Sequence, residues 1–384
     1  VTTPPEIPAP PESPAPPESP ALPPETPALP PTLAANPRLS DWLRILPSGI
    51  VEIRPGRVEL GQGVLTALAQ VAAEELDVTV ARLRMIPATT GLSPNEGYTA
   101  GSMSIQYGAA ALRVACAEAR GRYLAAAAVA LGVTADKLTV ADGEIHAPDG
   151  RATSYWELAD DALLTADAVG GYVPKPASAY RIVGTSAPRL DLPDKVTGRP
   201  RYVHDLDFDG LCYGRVVRPP SRGATLTALD ENPASALPGV ITIVRDGDFL
   251  AVIAEREEVA LRAADTLRGC ATWDERPVLP DSADLPAYLR SAPAETTVLA
   301  ERGAPPPAGA VAASPAAVYH RPYLAHASIG PSSATALWHD TDSGDTDSAD
   351  TGSGGARLRV WTHSQGVYPL RAELARALAI PPAQ

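Results

Sequence analysis

The chain has 384 residues, enough for two or three domains with cores of their own. Asp and Glu outnumber Lys and Arg by 45 to 32, for a net charge of -13, a balance that repels phosphodiester backbones and argues against nucleic-acid binding. Cys116, Cys212 and Cys270 lie far apart with no C-x-x-C pair, which argues against a disulfide framework, a zinc site or an iron–sulfur cluster and leaves reduced, buried thiols as the expectation. No apolar run reaches the about 18 residues of a spanning helix. No basic cluster followed by an apolar core opens the sequence as a signal peptide would, so a cytoplasmic location is expected.

Residues 1–36 are low-complexity: a unit close to P-E-S-P-A-P-P recurs, and many of the 42 prolines of the chain fall here. Proline at every second or third position removes amide donors and fixes φ, which excludes helix and interior strand. In polyproline II at about 3.1 Å per residue this is a stalk roughly 100 Å long. A spacer, or a P-x-x-P lure for a partner, are the two readings. Order is expected from about Pro37. Ile50 to Arg54 alternates as a strand does, Arg57 to Leu60 resembles a second strand, and Gly61-Gln62-Gly63 breaks the pattern. Leu65, Leu68, Ala69, Ala72 and Leu76 then recur at helical spacing. Arg82 to Pro87 reads as a strand and Thr89 to Gly101 as a polar loop. A longer helix follows with Ser102 and Ser104 as caps, runs through Ala111, Val114, Ala115, Leu124 and Val129, and stops at Gly132. Asp142-Gly143 marks a tight hairpin between Leu138 to Val140 and Glu144 to His146.

Further on, Leu211 to Val217, Val240 to Val244 and Phe249 to Ala254 read as buried strands, Arg256 to Leu267 as an amphipathic helix and Ala271 to Trp273 as a strand, together a compact α+β unit. Residues 277–310 look like a linker. Asp340 to Gly355 holds only Asp, Thr, Ser, Ala and Gly. Its opening is loosely like a calcium loop but lacks the glutamate at the twelfth position, so a solvated insertion is expected. Leu358 to Thr362 is a strand and Val367 to Ile380 a helix.

Two entrances to helices carry the chemistry. At Gly61-Gln62-Gly63 two glycines permit φ > 0 and close approach of a ligand, and the first turn of the following helix offers N–H groups to an anion. An ordinary tight turn is the alternative. At Thr99-Ala100-Gly101-Ser102-Met103-Ser104 three hydroxyls and a glycine open the longest helix, a cradle for a phosphate or polar heterocycle, with plain N-capping as the alternative. No G-K-[ST] follows either, and Thr66 stands where a dinucleotide fingerprint has its third glycine.

The stretch V-E-L-G-Q-G-V-L-T-A-L-A-Q-V-A-A-E-E-L-D-V (Val58 to Val78) resembles the G-Q-G segment of the xanthine dehydrogenase and aldehyde oxidase large subunits, most of all the isoquinoline 1-oxidoreductase type of beta subunit. Y-T-A-G-S-M-S (Tyr98 to Ser104) is similar to the T-G-G-S-type element that follows in that family. R-I-V-G-T-S-A-P-R-L-D-L-P-D-K-V-T-G-R-P-R-Y-V-H-D-L (Arg181 to Leu206) resembles its lead into an α/β-hammerhead domain. H-R-P-Y-L-A-H-A-S-I-G-P (His320 to Pro331) and V-W-T-H-S-Q-G-V-Y-P-L-R (Val360 to Arg371) resemble the opening of its first molybdopterin-binding domain. The implied fold is α+β: a molybdopterin-binding segment at 37–180, the hammerhead at 181–276 and an incomplete molybdopterin-binding domain at 311–384.

The resemblance implies a molybdopterin-type molybdenum cofactor, with the cytosine dinucleotide form as one option. Gly61, Gln62 and Gly63 would bond the molybdenum ligands or the pterin, and Thr99, Gly101, Ser102, Met103 and Ser104 its phosphate-bearing part. It implies hydroxylation of an N-heterocycle or aldehyde with water as oxygen source, and electrons leaving through [2Fe–2S] clusters on a small partner subunit, in some cases towards a cytochrome. Two departures stand out: Gly330 precedes Pro331 where the family has a glutamate, and the chain stops before the G-G-x-F-G loop and the late catalytic glutamate. No catalytic residue is therefore assigned, and a truncated subunit is expected, with a non-catalytic binding remnant as the alternative. Glu74 and Glu75 read as an ordinary acidic helix face. His326 reads as a structural or pocket-lining imidazole, and Gln365 as a packing residue or a neighbour of the cofactor.

Overall fold

The computed structural model describes residues 28–200, 202–276, 279–303, 317–328, 330–339 and 358–384. It forms two compact units, one comprising the chain to Asp205 together with Ser332–Gln384, the other Leu206–Pro331. The sequence-based boundary at 181 thus falls inside the first unit, to which the carboxy-terminal segment also belongs.

Order begins earlier than the proline content suggests. α1 (Pro31–Ala35) is a single helical turn whose Leu33 is fully buried. Proline at its first position is tolerated because that N–H has no helical partner in any case. β1 (Leu43–Ile45) pairs antiparallel with β2 (Val51–Ile53), whose two apolar residues are buried. The chain then crosses through α2 (Val64–Leu76) to β3 (Leu83–Met85), parallel to β2. Arg57 to Leu60 is not a strand; its polar groups go to side-chain bonds described below. α2 buries Val64, Leu68, Ala69, Ala72, Ala73 and Leu76 against α3 (Ala110–Leu131), where alanines allow close helix approach. α3 ends at Gly132 in the left-handed region (φ 63°), the stop expected from the sequence. Its start differs. Ser104–Ala109 form one π-type turn, and no side chain caps it, so Ser102 and Ser104 are not N-caps.

β4 (Thr139–Ala141) and β5 (Glu144–His146) form the expected hairpin. Asp142 and Gly143 both have positive φ (49° and 84°), as a two-residue type I′ turn requires. β6 (Ala152–Ser154) adds a third strand. After α4 (Ala162–Thr165) the chain returns as a strap over α3 and α2, and α5 (Leu192–Thr197) closes it.

Three buried glutamates hold the strap. Glu118, fully buried, accepts the N–H groups of Val169 and Gly170 and pairs with Arg122. Glu75 accepts the Lys175 N–H and pairs with Arg113. Glu74 accepts three consecutive N–H groups, from Arg181, Ile182 and Val183, at 2.9, 2.6 and 3.0 Å. Glu74 and Glu75 are therefore not a solvated face, because the strap covers them.

In the second unit β7 (Tyr213–Val217), β10 (Phe249–Ala254) and β9 (Val240–Asp246) make an antiparallel sheet in the order β7-β10-β9. β8 (Thr225–Leu229) pairs with β11 (Ala271–Asp274). α6 (Asn232–Ser235) and α7 (Glu257–Cys270) supply Ala234, Ala263, Ala264 and Leu267 to a core with Val217, Leu250 and Val252. The linker carries α8 (Leu285–Ser291), capped by Asp284 on the Ala287 N–H. His326 lies in an exposed irregular stretch, which does not fit the structural-imidazole reading. Of the cysteines only Cys116 is buried; Cys270 is partly exposed and Cys212 exposed.

The carboxy-terminal segment pairs β12 (Ala334–Trp338) with β13 (Leu358–Thr362) and ends in α9 (Val367–Leu378). The acidic insertion at 340–355, residues 1–27 and residues 304–316 lie outside the described residues. No helix among the described residues is long and apolar enough to cross a membrane.

Candidate cofactor-binding site

A buried seam joins the two helix entrances. Gly56 lies against the Pro94 carbonyl, where a Cβ would overlap that oxygen. Next to it the Arg57 guanidinium faces Glu96 at 3.3 Å, with side chains only 4% and 1% exposed. Burial pushes the Glu96 carboxyl up, opposed by Arg57 and by the Gly56 N–H that it accepts at 2.9 Å. Arg57 also donates to the Tyr98 carbonyl (2.8 Å), and the Val58 N–H donates to the Thr99 hydroxyl (2.9 Å). These bonds replace the strand ladder expected for Arg57 to Leu60, and they set the chain entering the first turn beside the chain entering the second. Thr99 is therefore a buried structural link rather than an open hydroxyl.

The first entrance is occupied from within. Gly61 (φ 104°) and Gly63 (φ 81°) take the left-handed conformations that their lack of a Cβ permits. Their N–H groups, however, both donate to Glu59 Oε1 at 2.8 Å, and the Leu65 N–H donates to Glu59 Oε2 at 3.2 Å. The Gln62 amide turns back, donating to the Val58 carbonyl (3.1 Å) and accepting the Leu60 N–H (2.5 Å). Arg189 closes over the turn: it donates to the Gly61 carbonyl at 2.7 Å, approaches Glu59 at 3.7 Å and pairs with Asp191 at 2.7 Å. The hydrogen bonds from Arg189 and Lys195 hold the Asp191 carboxyl well below the usual carboxylate range. As an anion cradle this entrance does not fit, because the Glu59 carboxylate already sits on the N–H groups of Gly61, Gly63 and Leu65.

The second entrance does fit. Gly101 and Ser102 are consecutive left-handed residues (φ 63° and 60°), and their N–H groups donate to no described residue. Gly101, Ser102 and Met103 are exposed and Ser104 is half-buried. Neither serine hydroxyl bonds a described residue. Large apolar side chains flank these donors along the chain: Tyr98, Met103, Ile105 and Tyr107 are all at least partly exposed, and Met103 lies against Gly101. Gly108 brings the π-type turn down on the seam, where a Cβ would stand 2.9 Å from Glu96 Oε1. Gln365 packs on the same element, accepting the Thr99 N–H through its carbonyl and donating its side-chain amide to the Thr99 carbonyl (2.8 and 3.0 Å). Among the described residues no group of three or more His, Cys, Asp or Glu side chains could hold a metal ion.

Sequence reasoning missed Glu59, Arg57, Glu96 and Arg189. A glutamate two residues before a glycine turn is the available signal for Glu59, since a side chain of that length reaches the N–H groups of the turn.

Residues 26–188 match the family model described as molybdopterin cofactor-binding domain. A nicotinate dehydrogenase component from Pseudomonas putida is 37% identical over 89% of this chain and 28% of its own length. The beta component of isoquinoline 1-oxidoreductase from Brevundimonas diminuta is 31% identical over 62% of this chain and 35% of its own length. The xanthine dehydrogenase molybdenum-binding subunit of Escherichia coli O157:H7 is 40% identical over 14% of this chain and 7% of its own. The chain therefore spans about a third of the length of the first two relatives. Residues 26–188 thus match a molybdopterin cofactor-binding domain, and the chain is similar along most of its length to the nicotinate dehydrogenase and isoquinoline 1-oxidoreductase components and over a short stretch to a xanthine dehydrogenase molybdenum-binding subunit.

Proposed function

We propose that this chain forms the cofactor-holding amino-terminal part of a molybdenum hydroxylase that oxidises an N-heterocyclic or aldehyde carbon with water as the oxygen source. The observation that carries the reading is the pair of left-handed residues Gly101-Ser102, whose N–H groups bond no described residue, beside exposed Tyr98 and Met103. N–H and O–H donors beside an apolar shelf suit a flat heterocycle with an anionic tail. Gly101, Ser102 and Ser104 would hold the phosphate-bearing part of a molybdopterin, in the dinucleotide form or the simpler one. Met103 would pack on it, and Thr99 would fix the backbone from below. Gly61, Gln62 and Gly63 would frame the pterin by shape and by carbonyls rather than by N–H donation. When bound, that cofactor supplies the two-electron oxidation of the substrate carbon. Electrons then pass to [2Fe–2S] clusters of a small partner subunit and on to an acceptor such as a cytochrome, in the cytoplasm.

The test is metal content of the complex purified with its partner subunits. Molybdenum near one equivalent, with pterin fluorescence after oxidation, supports the reading. A complex that carries iron–sulfur clusters but no molybdenum supports the non-catalytic alternative instead. The double variant Ser102→Ala with Ser104→Ala should weaken cofactor affinity about tenfold, the effect of losing two hydrogen bonds of about 0.7 kcal/mol each, and molybdenum occupancy should fall below that of the wild type. The unfolding temperature of the cofactor-free chain should match that of the wild type, because neither hydroxyl bonds a described residue.

A further inference from the structure

Given this assignment of the cofactor, we infer that Glu59 is a positioning residue that acts as the turn's own anion, closing the Gly61–Gly63 entrance to phosphate and leaving recognition of the anionic group to Gly101, Ser102 and Ser104. Three observations carry it. The Glu59 carboxylate takes the N–H groups of Gly61, Gly63 and Leu65 at once, two donors of the glycine turn and one of the first helical turn that would otherwise be available to a bound phosphate. Its side chain is only 17% exposed, so an arriving anion meets a carboxylate held across three of the turn's N–H groups rather than a solvated one that swings aside. The Arg189 guanidinium seals the arrangement from the strap through the Gly61 carbonyl and Asp191. The Leu190 N–H on the Thr66 hydroxyl (3.1 Å) pins that strap to α2.

The chemical consequence is a division of labour. One glycine turn presents shape and carbonyl oxygens, and the other presents donors. Two entrances that look equivalent in sequence differ in sign towards an anion, because one of them carries a carboxylate at the reach of its own N–H groups.

The experiment follows the backbone amides of Gly61, Gly63 and Gly101 by NMR in the full chain labelled with 15N-glycine, titrated with inorganic pyrophosphate. In the wild type the Gly61 and Gly63 signals should stay in place. In Glu59→Ala both should move saturably, with pyrophosphate affinity at this turn at least about tenfold higher than in the wild type. Glu59→Gln keeps an accepting oxygen without the charge and should fall between the two; it also serves if the alanine variant does not fold. Movement of Gly61 and Gly63 in the wild type, or their silence in both variants, overturns the inference. The Gly101 signal is an independent readout: its failure to move would count against the site assigned to residues 101–104 while leaving the Glu59 result to stand or fall on Gly61 and Gly63.

Discussion

Glu74→Ala should lower the unfolding temperature of the protein by about 9 °C, the equivalent of about 3 kcal/mol for a unit of roughly 200 residues. The wild-type carboxylate is buried at the end of α2 and accepts the N–H groups of Arg181, Ile182 and Val183, with Lys175 at 3.6 Å. Alanine leaves three backbone donors without that acceptor and a lysine without one of its partners, and the strap over α2 loses an attachment. The effect has a pH signature. Burial alone would raise the Glu74 carboxyl, but the backbone N–H groups of Ile182, Val183 and Arg181 and the charge of Lys175 outweigh it, so the group lies below its ordinary 4.5. A carboxyl whose folded value is depressed binds fewer protons folded than unfolded. Its stabilisation is therefore fully present above the unfolded value and is lost as pH falls through the depressed folded one. The gap in unfolding temperature between wild type and Glu74→Gln should accordingly be constant from neutral pH to about 5 and narrow below about 4.5. A gap that stays constant to pH 3 would show that the carboxylate is not held by these bonds.

The same residue shows where the sequence was legible and where it was not. α2, α3 and the Asp142-Gly143 hairpin were readable because each obeys a local rule: helical spacing of Leu68, Ala72 and Leu76, a left-handed stop at Gly132, and two positive φ angles in a two-residue turn. Glu74 and Glu75 looked like solvated surface because the strap that covers them lies about 100 residues later in the chain. A local clue did exist. Two carboxylates in the last turn of a helix oppose its dipole, and α2 has no basic residue there to offset them, so partners from elsewhere were required. Leu33 was hidden by composition: proline content argued against order, yet one leucine fills the core and holds a helical turn in place.

The candidate site divided along the same line. Glycines and hydroxyls singled out two helix entrances in the sequence, and the structure links these stretches through Val58 and Thr99. Which entrance keeps free donors depended on side chains that residue spacing does not rank. Glu59 reaches its own turn, and Arg189 arrives from a segment 128 residues away. Arg57 to Leu60 misled for a related reason. Its alternation is real, but the neighbour it meets is an irregular loop that bonds through Glu96, Tyr98 and Thr99 rather than through a ladder.

Gly56→Ala should be as damaging as the loss of Glu74, at about 3 kcal/mol and about 9 °C, and unlike that variant it should also weaken the candidate site. A Cβ at Gly56 overlaps the Pro94 carbonyl oxygen and stands 2.8 Å from Glu96 Cγ. A backbone carbonyl cannot rotate away as a side chain does, so the two segments must move apart. That movement stretches the Gly56 N–H bond to Glu96 and separates Arg57 from Glu96 in a place where neither charge reaches water. An ion pair loosened while buried is far more costly than one lost at the surface. Gly108→Ala is the control. Its nearest neighbours would be side-chain atoms, Glu96 Oε1 at 2.9 Å and Arg57 Cγ at 3.1 Å, so the pair is pressed but no backbone carbonyl is displaced, and alanine in place of glycine at a helical position offsets up to about 1 kcal/mol of that strain. It should therefore melt within a few degrees of the wild type. In the pyrophosphate titration, the Gly101 response should weaken about tenfold in Gly56→Ala and persist in Gly108→Ala, because the bond from Val58 to Thr99 transmits the displacement of the seam to the second entrance. Equal melting temperatures for Gly56→Ala and wild type would mean that the seam does not hold the two entrances together.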